Sequence, residues 1–216
     1  MINTTIRINT LFAFLLLFVG GLNAQTNISS TINQYSAVTG VDLPGNSVTV
    51  ASATPFTVGD QVLLIQMQGA TIDETNTGSF GTITDQGGAG SYELAIVCAV
   101  DGNTITLENE LINTDYAPGG GLQLVAVPTY ENATVTATLT GQAWDGTTGG
   151  VVALQVLNTL TLDAPISMDG KGFRGGTFEN AVSNCNFIIP VNNYFYDTPN
   201  DGGGRKGESI AAEIAA

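Results

Sequence analysis

The run Asn132–Leu139 (NATVTATL), followed by Gly150–Val156 (GVVALQV) and Thr159–Leu162 (TLTL), decides how this chain folds. The first and last of these runs alternate apolar with small polar residues, and the middle one is largely apolar. Alternation at a period of two is what a strand needs to set one face against a core. The runs follow one another at short spacing and are punctuated by Gly, Asn and Asp, and Ile166–Met168 adds a brief fourth piece. Two architectures accept such strands. In a right-handed parallel β-helix each strand is a rung that buries its apolar face on its neighbours. In an antiparallel sandwich the same alternation faces a second sheet. Periodicity does not separate the two, and the rung reading is the expectation for residues 129–176.

Working towards the N-terminus, residues 35–128 read as a small β domain, barrel-like or a sandwich. Leu43-Pro44-Gly45-Asn46 is a turn, and Ser47–Ser52 (SVTVAS) alternates as a half-buried strand does. Val58-Gly59-Asp60 launches Gln61–Gln68 (QVLLIQMQ), whose centre is apolar on both faces and so predicts a strand covered on both sides. Gly69–Gly90 is a long polar loop. Ser91–Val100 and Asn103–Glu108 flank Asp101-Gly102, a hairpin signal for a type I′ turn, and Leu122–Val127 is a further strand. The fold class is therefore all-β.

Composition agrees. The 216 residues include 27 glycines and are 43% hydrophobic but only 11% charged, which excludes a disordered chain. The net charge of −14 opposes nucleic acid and anionic lipid as partners and attracts divalent cations. There is no histidine, so the usual general base and commonest metal ligand are missing. With two cysteines, a Cys/His zinc cage is not expected.

Residues 1–24 read as a signal peptide: Arg7, then the apolar run Leu11–Val19, then GGLNA, with cleavage between Ala24 and Gln25. The run is too short to span a bilayer as a helix, and no membrane span is expected once it is removed. Residues 25–34 (QTNISSTINQ) read as a flexible lead-in. Export places Cys98 and Cys185 where a disulfide persists, and a bridge between them is one reading, two unpaired thiols the other. Residues 177–216 read as a glycine-rich irregular segment, and without a solenoid cap the chain reads as part of a longer protein.

Three blocks carry a resemblance. GDQVLLIQMQG (59–69), AWDGTTGG (143–150) and DGKGFRGG (169–176) resemble blocks in the N-terminal region of large exported surface proteins of gliding bacteria that use type IX secretion. The resemblance spans about Tyr35 to Gly207 and implies a small β domain followed by a β-helix-like, glycine-rich region. It also implies long repeats and a C-terminal sorting domain, neither of which lies within these 216 residues. The implied role is adhesion, structure or motility at the cell surface, and no catalytic residue comes with it.

Other motifs weaken on inspection. Gly170–Gly175 matches G-x-G-x-x-G, but Thr177-Phe178-Glu179-Asn180 does not begin a helix, so a glycine-rich turn is the reading. In Asp201–Ser209, Lys206 precedes Gly207 in an order that no phosphate loop uses. Asp60, Asp85, Glu93, Asp145, Asp163 and Asp169 are the scattered carboxylates from which a glycosidase pair would be drawn. The turns Asp145-Gly146 and Asp169-Gly170 offer oxygens that calcium accepts, but neither is a recognised calcium loop and ordinary Asx turns suffice. Trp144, Tyr194 and Tyr196 offer either core or a sugar-stacking surface. The expectation is thus an exported, non-catalytic surface or secreted module without a cofactor. Its partners would be extracellular polysaccharide or other surface proteins. The alternative is a β-helix protein that binds or cleaves polysaccharide.

Overall fold

The computed structural model describes residues 25–176 and 207–211. The predicted signal peptide, Cys185, Tyr194 and Tyr196 lie outside the described residues.

Within residues 35–128 the strands are β2 (Tyr35–Asp42), β3 (Ser47–Val50), β4 (Gln61–Gln66), β5 (Thr71–Ile72), β6 (Ile83–Asp85), β7 (Tyr92–Asp101), β8 (Thr104–Leu107) and β9 (Leu122–Ala126). Six of them close into a barrel in the order β2-β3-β8-β7-β4-β9, with every pairing antiparallel. Closure decides between the two predicted forms of this domain and removes the open sheet edges that a sandwich keeps. Val38, Val48, Val62, Leu64, Ile105 and Leu124 meet in its core. The predicted polar loop 69–90 carries the small two-stranded sheet β5-β6.

The two-sided apolarity of β4 now has its cause. Val62 and Leu64 point into the barrel, while Leu63 belongs to a second buried cluster with Val125 and Val127 outside it. Val151 and Ala153, from the chain beyond the barrel, cover that outer cluster.

The second sheet is parallel: β1 (Gln25–Thr31), β10 (Thr129–Thr140) and β11 (Gln155–Leu162), in the order β1-β10-β11. Its columns run Thr26-Ala133-Leu160 and Ile28-Val135-Leu162, and Leu139 is bridged in parallel by Ile166. Parallel pairing overturns the antiparallel sandwich for this region. Partner residues on β10 and β11 are 27 positions apart over most of the strand, as from Asn132 to Thr159.

Two expectations need correction. Gln25–Thr31 is not a flexible lead-in but the first strand of the parallel sheet, held by β10 and by Ile28 in the ladder core. The ladder thus begins at residue 25 rather than 129, and the barrel is an insertion between its first two strands. The hairpin turn is also displaced by one residue. Asp101 pairs with Thr104, so Gly102 and Asn103 are its centre, and only Gly102 has positive φ (56°). Positive φ at the first central residue alone is the II′ pattern rather than I′.

Candidate functional site

The three blocks singled out in the sequence, far apart along the chain, converge where the barrel meets the parallel sheet. Their residues explain the geometry one by one. Gln66 in the first block is fully buried; its Nε2 donates to Gln68 O at 2.7 Å and its Oε1 accepts from Ala117 N at 2.7 Å. Its amide lies in a cradle of glycines: a Cβ on Gly69, Gly88 or Gly120 would sit 2.4–2.5 Å from it. Gln68 Nε2 donates to Ser209 O at 2.8 Å, and Ala70 bridges Ala211 in parallel.

The second block, AWDGTTGG, docks on β9. Gln123 is fully buried, donates from Nε2 to Gly149 O at 2.9 Å and accepts at Oε1 from Gly149 N at 2.8 Å. One carboxamide thereby satisfies both backbone groups of one glycine, as a neighbouring strand would. Gly149 takes φ of 97°, and a Cβ there would fall 2.4 Å from Ala143 O. Two more part-buried polar ties join the barrel to the segment that leads into β11. Asn33 Nδ2 donates to Ala126 O and Ala153 O at 2.9 and 2.5 Å and its Oδ1 accepts from Ala153 N, while Tyr35 OH donates to Val151 O at 2.6 Å. Burial raises the Tyr35 phenol above its ordinary value, so it stays a donor at neutral pH.

The third block closes the junction. Lys171 O accepts from Trp144 N at 2.9 Å, and Phe173 meets the Trp144 ring edge-on with centroids 6.1 Å apart. Arg174 forms an ion pair with Glu208, whose carboxylate also accepts from Arg174 N at 2.7 Å and is held below its usual value by the Arg174 hydrogen bond. Gly170 has φ of 67°, and residues 171–176 continue without a helix, so the formal dinucleotide fingerprint is a turn.

Trp144 is 3% exposed, its ring packed against Gly121. It is core, and the sugar-stacking reading is corrected for Trp144: a ring with no open face stacks no ligand. Cys98 lies exposed on β7.

Four of the six candidate carboxylates are engaged by backbone amides. Asp60 caps Thr57 N and Oγ1, Asp85 accepts from Gly87 N, and Glu93 takes the N–H groups of Ile112 and Asn113, both at 2.8 Å. Asp145 Oδ1 accepts from Thr147 N and Thr148 N at 2.8 Å each, and the Thr148 backbone bond leads the causes that hold its carboxyl below the ordinary range. Asp163 and Asp169 are exposed on turns. Among the described residues no group of three or more Cys, Asp or Glu comes together as a cation site. No described helix is long and apolar enough to cross a membrane.

No family model and no curated protein matches the chain. Solved structures that it resembles include the Gp54 tailspike of Acinetobacter baumannii bacteriophage AP22 in complex with capsular saccharide (14% identity, 65% of this chain, 24% of that one, TM-score 0.35). Others are tailspike gp49 of Pseudomonas phage LKA1 (17%, 55% and 23%, TM-score 0.30) and tailspike gp61 of Pseudomonas phage phi297 (12%, 53% and 22%, TM-score 0.30). The chain spans under a quarter of each tailspike, and a likeness this partial carries no functional argument.

Proposed function

We propose that this chain is an exported, non-catalytic surface or secreted module, in which a β-barrel is carried on the opening rungs of a right-handed parallel β-helix for adhesion or structural display. The observation that carries the reading is the junction. Gln123, Asn33 and Tyr35 tie the barrel through buried and part-buried bonds to the segment that joins β10 to β11, so the barrel is held at a set orientation. That is the property of a part that presents surface, since loops act from a rigid scaffold. The acids point the same way: three of the six candidates cap nearby backbone amides and Glu93 holds the amides of Ile112 and Asn113, which a catalytic pair in waiting does not do. Net charge of −14 suits an extracytoplasmic surface.

Two measurements test it. N-terminal sequencing of protein exported by a bacterial host should begin at Gln25; retention of the full leader in the cytosol would sink the export claim. Incubating the mature protein with a panel of neutral and acidic polysaccharides should release no new reducing ends or unsaturated products. Turnover of any of them would overturn the non-catalytic reading in favour of a polysaccharide-cleaving β-helix protein.

A further inference from the structure

Residues 207–211 return to the junction and are held there from both sides. On the barrel side Gly69 N and Ala70 N both donate to Ile210 O, at 2.9 and 3.1 Å, and Ala70 bridges Ala211 in parallel. Gln68 Nε2 donates to Ser209 O at 2.8 Å. On the ladder side Glu208 N donates to Arg174 O at 2.9 Å, and Arg174 N donates to the Glu208 carboxylate at 2.7 Å beside their ion pair.

These bonds read the segment in two ways. Most go to its backbone, and Ser209 and Ile210 themselves stay exposed. Two side chains are selected: Glu208 by the Arg174 cation, and Ala211 by burial, at 8% exposed. Main-chain bonds along an edge, with side chains chosen at separated places, are how an added strand is recognised. The barrel edge is prepared for it. Gly69 holds φ of 127°, and a Cβ there would fall 2.5 Å from Gln66 Nε2, so glycine alone keeps this N–H on Ile210 O. The partners stand 34 residues away at Arg174 and 141 residues away at Gln68, so no tight turn delivers the segment to its seat. Its own chemistry holds it there.

We propose that the junction is a peptide-binding site of the strand-addition kind. Its ligand is an extended segment with a carboxylate at the first place and a small apolar residue at the fourth, and residues 208–211 are the occupant built into this chain. A partner protein that presents an exposed strand of that pattern competes for the same seat. The inference stands apart from export and from the display role.

Amide hydrogen exchange in the full chain tests it, read at Gly69 and Ala70. Glu208→Arg sets two cations against each other and should speed exchange at both amides by about tenfold as the segment lifts. The Gln66 amide, bonded to Ser91 O, should keep its protection and show that the barrel is intact. If it does not, Glu208→Gln removes the charge, keeps the shape and takes the place of the first variant. A capped peptide copying residues 207–211, added to the variant at about 5 mM to fill a site of millimolar affinity, should restore protection at Gly69 and Ala70. The same peptide carrying Glu208→Arg should not. Unchanged exchange at both amides in both variants, or protection restored by neither peptide, overturns the site. Restoration by both peptides overturns its selection for a carboxylate. Protection in the wild type that falls on dilution overturns the built-in occupant and assigns the seat to the segment of a second copy.

Discussion

Replacing Gln123 with Leu should loosen the junction more than any other single change of similar volume. The wild-type carboxamide is fully buried and makes two hydrogen bonds, 2.9 and 2.8 Å, to the two backbone groups of Gly149. Leucine fills the space but leaves Gly149 N–H and C=O without partners. Each stranded buried group costs about 1–3 kcal/mol, and the extra apolar surface returns about 1 kcal/mol. The net loss is then about 1–5 kcal/mol, a large share of the roughly 5–15 kcal/mol that holds a domain folded. With a urea slope of about 2 kcal/mol per molar, the midpoint should fall by about 0.5–2.5 M. Trp144 is the single tryptophan and is buried at this junction, so its fluorescence reports the transition directly. Trypsin supplies a second reading, because Lys171 lies in the block that closes over Trp144. Cleavage there should accelerate in the variant. A midpoint within error of wild type, with unchanged cleavage, would show that the two bonds are not what holds AWDGTTGG to the barrel.

Two further changes follow from the same region. Gly120→Ala puts a Cβ 2.3 Å from Gln68 O and 2.4 Å from Gln66 Nε2, and should cost about 1–3 kcal/mol by overpacking the cradle. Gly119→Ala next to it meets open space and should stay within about 0.5 kcal/mol in the same urea titration; equal losses would refute the cradle. Asp145→Asn should cost about 0.5–1 kcal/mol at neutral pH, a small effect because the group is exposed and screened. The folded Asp145 carboxyl lies below its unfolded value of 3.8, so its contribution is complete above that value and disappears as pH falls through the folded one. The two stability curves should therefore draw together as pH falls below about 4 and meet only below the folded carboxyl's own titration, and a gap that does not narrow over that range would contradict the cap.

The barrel was legible because its strands announce themselves locally. Gln61–Gln68 is apolar on both faces, and the structure supplies two cores for it, Leu64 inside and Leu63 outside. Strand β1 was not legible. In Gln25–Thr31 only Ile28 is apolar, and its partners on β10 lie more than a hundred residues away, beyond an inserted domain. No local period reports a pairing of that kind; the 27-residue step appears only once β10 and β11 are aligned. The three glycine-bearing blocks stood out in the sequence, but their roles could not, because a positive φ at Gly149 or a tryptophan face on Gly121 exists only when both sides are assembled. The acids were misleading for the opposite reason. A carboxylate that caps the amides two or three residues on, as Asp145 does, is the same letter as one that waits for substrate.

The inserted barrel also constrains how the ladder forms. Bringing β1 to β10 closes a loop whose entropic cost precedes any reward from pairing. The barrel removes that cost by placing its own ends together: Tyr35 pairs with Val125, Ala126 N donates to Gln34 O at 2.9 Å, and Asn33 reaches Ala126 O. Folding of the barrel therefore brings Asn33 and Ala126 together, at the points where the chain leaves for β1 and β10, and the ladder is left to pair β1 with β10 in the register that sets Gln25 beside Asn132 and Thr31 beside Thr140. Barrel-core contacts should already exist in the transition state, and ladder contacts should form after it. Leu64→Ala should then slow folding in proportion to the stability it removes, whereas Val135→Ala should chiefly speed unfolding. Stopped-flow chevrons of the two variants decide it. If Val135→Ala slows folding as much as Leu64→Ala, the ladder nucleates first and the barrel closes onto it.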